Sequence, residues 1–113
     1  MQVEAQKYLY DIQRASELLA TFTAGKGFSD YQEDAMLRAA TERQFEVIGE
    51  ALGQLARLDS ELAGRISEHQ RIIAFRNILI HGYADIDDRL VWDIVETRLP
   101  RLRDEVTALL AEP

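Results

Sequence analysis

Apolar residues recur at intervals of three and four along most of the chain, and that spacing admits one regular structure. Residues three and four apart share a face of an α-helix. Only Pro100 and Pro113 could interrupt helices in the 113 residues, and runs of β-branched residues are rare. The pattern predicts an all-α chain with a single domain over residues 1–113. Short connections make an antiparallel bundle of four to five helices the economical architecture.

Taken in order, a first helix is expected from about Val3 to Ala24, with Leu9, Ile12, Ala15, Ser16, Leu19 and Phe22 on one face and Gly25 and Gly27 as its stop. Tyr8 and Tyr10 flank that face as packing residues. Ser29 with Gln32 has the spacing of a capping box. A short first turn breaks near Asp34 from a long helix that runs to Leu58. Its inward face carries Leu37, Ala40, Thr41, Gln44, Phe45, Ile48, Leu52 and Leu55, while Glu50 reads as a solvated carboxylate. Asp59 or Ser60 caps a short turn, and Ser67 or Glu68 starts the next helix. Gly82 ends it, and Asp85 or Asp87 caps the last one. There Pro100 removes a backbone donor and should kink the helix or restart it.

Composition narrows the function classes. Apolar residues make up 47% and charged residues 29%, the balance of a globular chain with a core. There is no cysteine, so disulfides and thiolate metal sites are excluded. No basic segment followed by an apolar run suggests a leader, and no apolar run approaches bilayer length, so no membrane contact is expected and the cytoplasm is the expected location. The net charge of −7 argues against bulk attraction to nucleic acid and confines any such binding to a local cleft. Asp85, Asp87 and Asp88 lack calcium-loop spacing and read as a helix cap with solvated charge, so no metal and no cofactor are expected.

One stretch departs from ordinary patterning. From Arg71 to Tyr83 the chain reads R-I-I-A-F-R-N-I-L-I-H-G-Y. Ile72, Ile73, Phe75, Ile78, Leu79 and Ile80 leave almost no polar side on this helix, which predicts burial on most sides. Yet it carries Arg76, Asn77 and His81, and buried polar groups are costly unless paired or used. The surplus apolar surface predicts a partner, most simply a second copy in a two-fold homodimer. Trp92 is expected to pack against this helix, and His69 to face solvent or cap it.

The polar residues fall on two lines. Asn77 and His81 are about 40° apart, so the amide can orient the imidazole. Arg76 and Tyr83 are about 20° apart if the helix persists that far. Arg76 and His81 are about 140° apart, so they share a site only by side-chain reach, by loosening at Gly82 or through a second chain. Arginine beside histidine suits phosphate chemistry, since the guanidinium binds phosphate oxygens and the imidazole moves protons near neutrality. Cleaving RNA without a metal requires activating a 2′-hydroxyl, stabilising a crowded phosphate and protonating a leaving oxygen. One such pair supplies half of that, and two copies supply both acid and base.

Arg76-Asn77-Ile78-Leu79-Ile80-His81-Gly82-Tyr83 fits R-x4-H-x-Y with Asn after the Arg, and resembles the HEPN superfamily, specifically the HepT-like toxins. Ile48-Gly49-Glu50-Ala51 resembles that family's I-G-E-A segment, and Val91 to Val95 followed by Leu99-Pro100 its final helix. The chain departs where the family often has Pro-Trp, here His69-Gln70. The resemblance implies a HEPN-like domain that dimerises around a composite cleft, and a metal-independent ribonuclease acting as the toxin of a toxin–antitoxin pair. It implies Arg76 and His81 as the catalytic pair and Asn77 as the supporting polar residue. It further implies an MNT-type nucleotidyltransferase antitoxin that transfers AMP from ATP to Tyr83. Two other classes remain open at this point: a non-catalytic helical subunit that docks a nucleotidyltransferase, and a purely structural bundle.

Overall fold

The buried stripe of the first helix, α1 (Val3–Thr23), is Ala5, Leu9, Ile12, Ala15, Ser16 and Leu19 in a computed structural model that describes residues Met1–Pro113. Gly25 turns the chain out of α1 at φ +71°, a left-handed conformation that glycine adopts without steric cost. The short α2 (Phe28–Glu33) starts one residue earlier than the Ser29–Gln32 pattern suggests. Asp30 thereby reaches the third helical position, and its carboxylate accepts from the Gly27 N–H at 2.8 Å in place of the expected box.

Asp34 makes the expected break. It ends α2 and caps α3 (Ala35–Leu58), accepting from the Leu37 N–H at 3.1 Å. Asp59 caps α4 (Ser60–Ala63) by accepting from the Leu62 N–H at 3.0 Å. α5 spans His69–His81, α6 Asp88–Thr97 and α7 Leu99–Leu110. Asp87 caps α6 through the N–H groups of Arg89, at 2.9 Å, and Leu90, at 3.3 Å. Pro100 restarts the helix and does not kink it, because α7 places it in its first turn, where a missing N–H costs nothing. The five helices of ten or more residues form the predicted all-helical bundle, and α2 and α4 are short additions. No helix is long and apolar enough to cross a membrane.

The centre of the bundle is α3, with α1 and α5 packed along it. It buries Leu37, Thr41, Phe45, Ile48, Gly49, Ala51, Leu52 and Leu55. This corrects the expectation that α5 is buried on most sides. Only Ile72, Phe75 and Leu79 of α5 are buried, one stripe spaced by three and four. Ile78 is 49% exposed, and Ala74, Asn77 and His81 are exposed beside it. Trp92 is buried, but the ring it meets is Tyr31 of α2, with centroids 5.3 Å apart.

The start of α5 is fixed to the last two helices by polar contacts. Glu105 of α7 accepts from the Ser67 hydroxyl at 2.6 Å and from the Ser67 N–H at 3.1 Å. Glu68 precedes α5 at φ 55° and pairs with Arg71, at 3.2 Å, and with Arg98. A left-handed glutamate is uncommon and needs such support.

Candidate active site

The polar residues of α5 are positioned from below by α3. Gly49 faces α5 so closely that an added Cβ would stand 2.3 Å from the Arg76 Cβ and 2.9 Å from its Cγ. No other residue type fits there without moving a helix, so the glycine permits the close approach. The next residue, Glu50, forms an ion pair with Arg76, with Oε2 3.0 Å from Nη2. Gln54, one turn on, donates to the other Glu50 oxygen at 3.2 Å. On its far edge, Arg76 Nη1 donates to Asn77 Oδ1 at 3.1 Å, and the buried Nε meets no partner. Both terminal nitrogens thus have an oxygen partner, and Nη1 keeps one N–H beyond its bond to Asn77.

Asn77 Oδ1 accepts from Arg76 Nη1, and no hydrogen bond joins the asparagine to His81, against the expectation that the amide orients the imidazole. Glu50 is exposed, as expected, and is at the same time the ion partner of Arg76. The glycine inside the apolar stripe marks a close approach, but nothing in the spacing of α3 marks Glu50 as the partner.

His81 is the last residue of α5 and is exposed. Gly82 ends the helix, its N–H bonded to the Ile78 carbonyl at 2.8 Å, and an added Cβ would stand 2.8 Å from that same oxygen. Because the helix stops there, Tyr83 leaves the line of Arg76 and sits in the following turn, 81% exposed. His81 therefore lies on the helix and Tyr83 beyond it, both open to a large partner.

Different surfaces border the two sides of α5. On the Arg76 side a polar cleft of ≈ 250 Å³ is lined by Tyr8, Asp11, Arg43, Glu46, Glu50 and Gln54 among others. Tyr8, expected as packing, is half-buried at this cleft. Elsewhere along α5 an apolar groove of ≈ 330 Å³ runs between Ile72, Phe75 and Ile78 and the residues Leu90, Ile94 and Leu99 of α6 and α7. Arg71 and Arg98 also line it. The perturbed ionisable groups lie outside both. The Tyr31 hydroxyl is pushed far up by burial and then by Glu42 and Asp88, and the Glu42 carboxyl is raised by burial and then by Asp88 and Glu46.

The arrangement can hold an anion against an oriented guanidinium, on a helix that ends in an exposed imidazole. A sequence comparison gives the family: residues 12–109 match the family model described as "Ribonuclease HepT-like". The chain belongs to the HepT-like ribonuclease family. Membership carries the HEPN superfamily assignment that the R-x4-H-x-Y string suggested. A relative from Methanocaldococcus jannaschii, named "Putative RNase MJ1380", is 31% identical over 103 residues, covering 91% of this chain and 94% of that protein. Another from Thermococcus cleftensis, named "Probable ribonuclease HepT", is 33% identical over 106 residues, covering 90% of this chain and 92% of that protein. No solved structure matches the chain. The matched span contains Gly49, Glu50, Arg76, Asn77, His81 and Tyr83, so all the residues gathered along α5 lie within the shared domain.

Proposed function

We propose that this HepT-like chain is a metal-independent endoribonuclease and the toxin of a toxin–antitoxin pair, with Arg76 and His81 as its catalytic residues. The observation that carries the reading is the state of Arg76, a guanidinium fixed on two edges with an N–H to spare, on a helix that ends in an exposed histidine. Arg76 binds the scissile phosphate and offsets charge on its oxygens. One imidazole takes the 2′-hydroxyl proton, the 2′-oxygen attacks phosphorus, and the bond to the 5′-oxygen breaks. A second imidazole returns a proton to that oxygen. α5 carries His69 at its start and His81 at its end, about 18 Å apart along the helix axis, so one chain brings a single histidine to this end of the helix. The second comes from another copy, seated on the exposed α5 face that includes Ile78, and Asn77 supports Arg76.

Tyr83 is the proposed control point. Its hydroxyl is available to attack the α-phosphorus of ATP held by an MNT-type nucleotidyltransferase antitoxin, releasing pyrophosphate. The 81% exposure of Tyr83 supports this, since a second protein must surround the side chain. The attached AMP then brings bulk and negative charge to the end of α5, where the RNA phosphate would sit. The test is RNA cleavage by parent and His81→Ala protein in the presence of a chelator. The parent cleaves and the variant, still folded, does not; equal cleavage by the two contradicts the assignment.

A further inference from the structure

Glu50 contacts the proposed catalytic arginine, yet nothing in the proposed reaction uses it. We infer that Glu50 is a positioning residue for Arg76, holding the guanidinium in the orientation in which it meets the RNA phosphate. This inference rests on the ribonuclease reading above.

Three observations carry it. Gly49 lets the α5 backbone approach α3 to a separation no side chain would allow, so the stem of Arg76 lies directly over the Gly49-Glu50 turn. The ion pair closes at 3.0 Å from one carboxylate oxygen, while Gln54 holds the other at 3.2 Å, so the carboxylate is itself oriented. Asn77 takes the opposite Nη at 3.1 Å, so the guanidinium plane is fixed from both ends.

The contact could have either of two effects. A carboxylate on a phosphate-binding arginine also occupies the anion site, and would then act as a brake. Geometry favours positioning. The carboxylate meets Nη2 alone, as an ion pair and not a two-bond fork, and Nη1 keeps one N–H beyond its bond to Asn77 for a phosphate. A competitor for the phosphate would take both terminal nitrogens on the open edge. Here Asn77 and Glu50 divide them.

The two effects have opposite signs in a kinetic experiment. Glu50→Ala frees the guanidinium, and misplacement by about 1 Å is expected to lower kcat by about 10²-fold. KM stays level or falls, because a negative charge leaves the neighbourhood of the RNA. Glu50→Gln keeps an oxygen to accept from Arg76 and recovers part of the lost kcat. Stability changes little, because a half-exposed ion pair contributes little to folding, and a thermal melt of each variant checks that both remain folded. An unchanged or higher kcat in Glu50→Ala, or a loss confined to KM, overturns the inference. Arg76→Ala run alongside keeps the two claims separate. If Arg76→Ala cleaves RNA as the parent does, the ribonuclease reading of this site fails. If Arg76→Ala is dead while Glu50→Ala matches the parent, only the positioning role fails.

Discussion

A Cβ placed on Gly49 of α3 would stand 2.3 Å from the Cβ of Arg76 on α5, far inside van der Waals contact. The obstacle is the stiff root of a side chain and not its mobile end, so α5 must shift if Gly49 is replaced. Gly49→Ala gains about 1 kcal/mol of helix propensity but should lose more through overpacking, typically 1–3 kcal/mol. A lower urea midpoint and weaker RNA cleavage are the expected outcome. A variant that is more stable and fully active would mean that the helices do not meet there.

Two buried hydroxyls are expected to weaken the fold. Tyr31 and Thr41 are fully buried, and neither hydroxyl oxygen meets a partner. An unsatisfied buried polar group costs about 1–3 kcal/mol. Tyr31→Phe and Thr41→Val keep shape and remove the group, so each should raise stability by about 1 kcal/mol. Denaturant titration of the two variants checks this, and a loss of stability in both would show that the hydroxyls are satisfied.

Much of this was legible from spacing alone, and the exceptions have physical causes. Intervals of three and four identified the helices, and Asp34, Asp59, Asp87 and Pro100 marked their ends because capping is local chemistry. Burial of α5 was overestimated because periodicity reports apolar character, not the presence of a neighbour. Ile78 is apolar and 49% exposed because no element of a single chain covers it. Arg76, Asn77 and His81 were legible as an unusual set, but the Arg76–Glu50 pair was not. It joins residues on different helices, and nothing in the local spacing of α3 distinguishes Glu50 from a solvated glutamate.

Glu42 makes stability depend on pH in a defined direction. Burial, then Asp88 and Glu46, raise its carboxyl pKa above the usual range in the folded state. A raised folded pKa means the folded state holds the proton more tightly than the unfolded chain. Its contribution is fully present below the ordinary carboxylate range and is lost as pH rises through the folded value. Glu42→Gln should therefore melt higher than the parent at neutral pH, with the difference shrinking as the solution is acidified. A difference that stays constant with pH would remove the ionisation as its cause.

The apolar face of α5 should bring two copies together. Light scattering at micromolar concentration is expected to give a dimer for the parent. Ile78→Asp, which places a charge on the exposed part of that face, should give a monomer and lose RNA cleavage while retaining its helical signal. A monomeric parent would remove the composite site.

Tyr83 should be the acceptor of AMP. With an MNT-type nucleotidyltransferase and ATP, intact mass should show the adduct on the parent and none on Tyr83→Phe. Unmodified Tyr83→Phe should still cleave RNA, since the hydroxyl is not assigned to the reaction. An adduct that persists in Tyr83→Phe would relocate the modification.

The central claim is that Arg76 stabilises the phosphate undergoing cleavage at a 2′-hydroxyl. It is tested by the cleavage rate of one short RNA, and of the same strand without its 2′-hydroxyls, by parent and Arg76→Ala in chelator. The parent should cut the RNA and leave the 2′-deoxy strand intact. Arg76→Ala should lose at least about 10²-fold, the scale for removing one stabilising donor from a reacting oxyanion. Equal rates for parent and Arg76→Ala, or equal cleavage of both strands by the parent, would contradict the account.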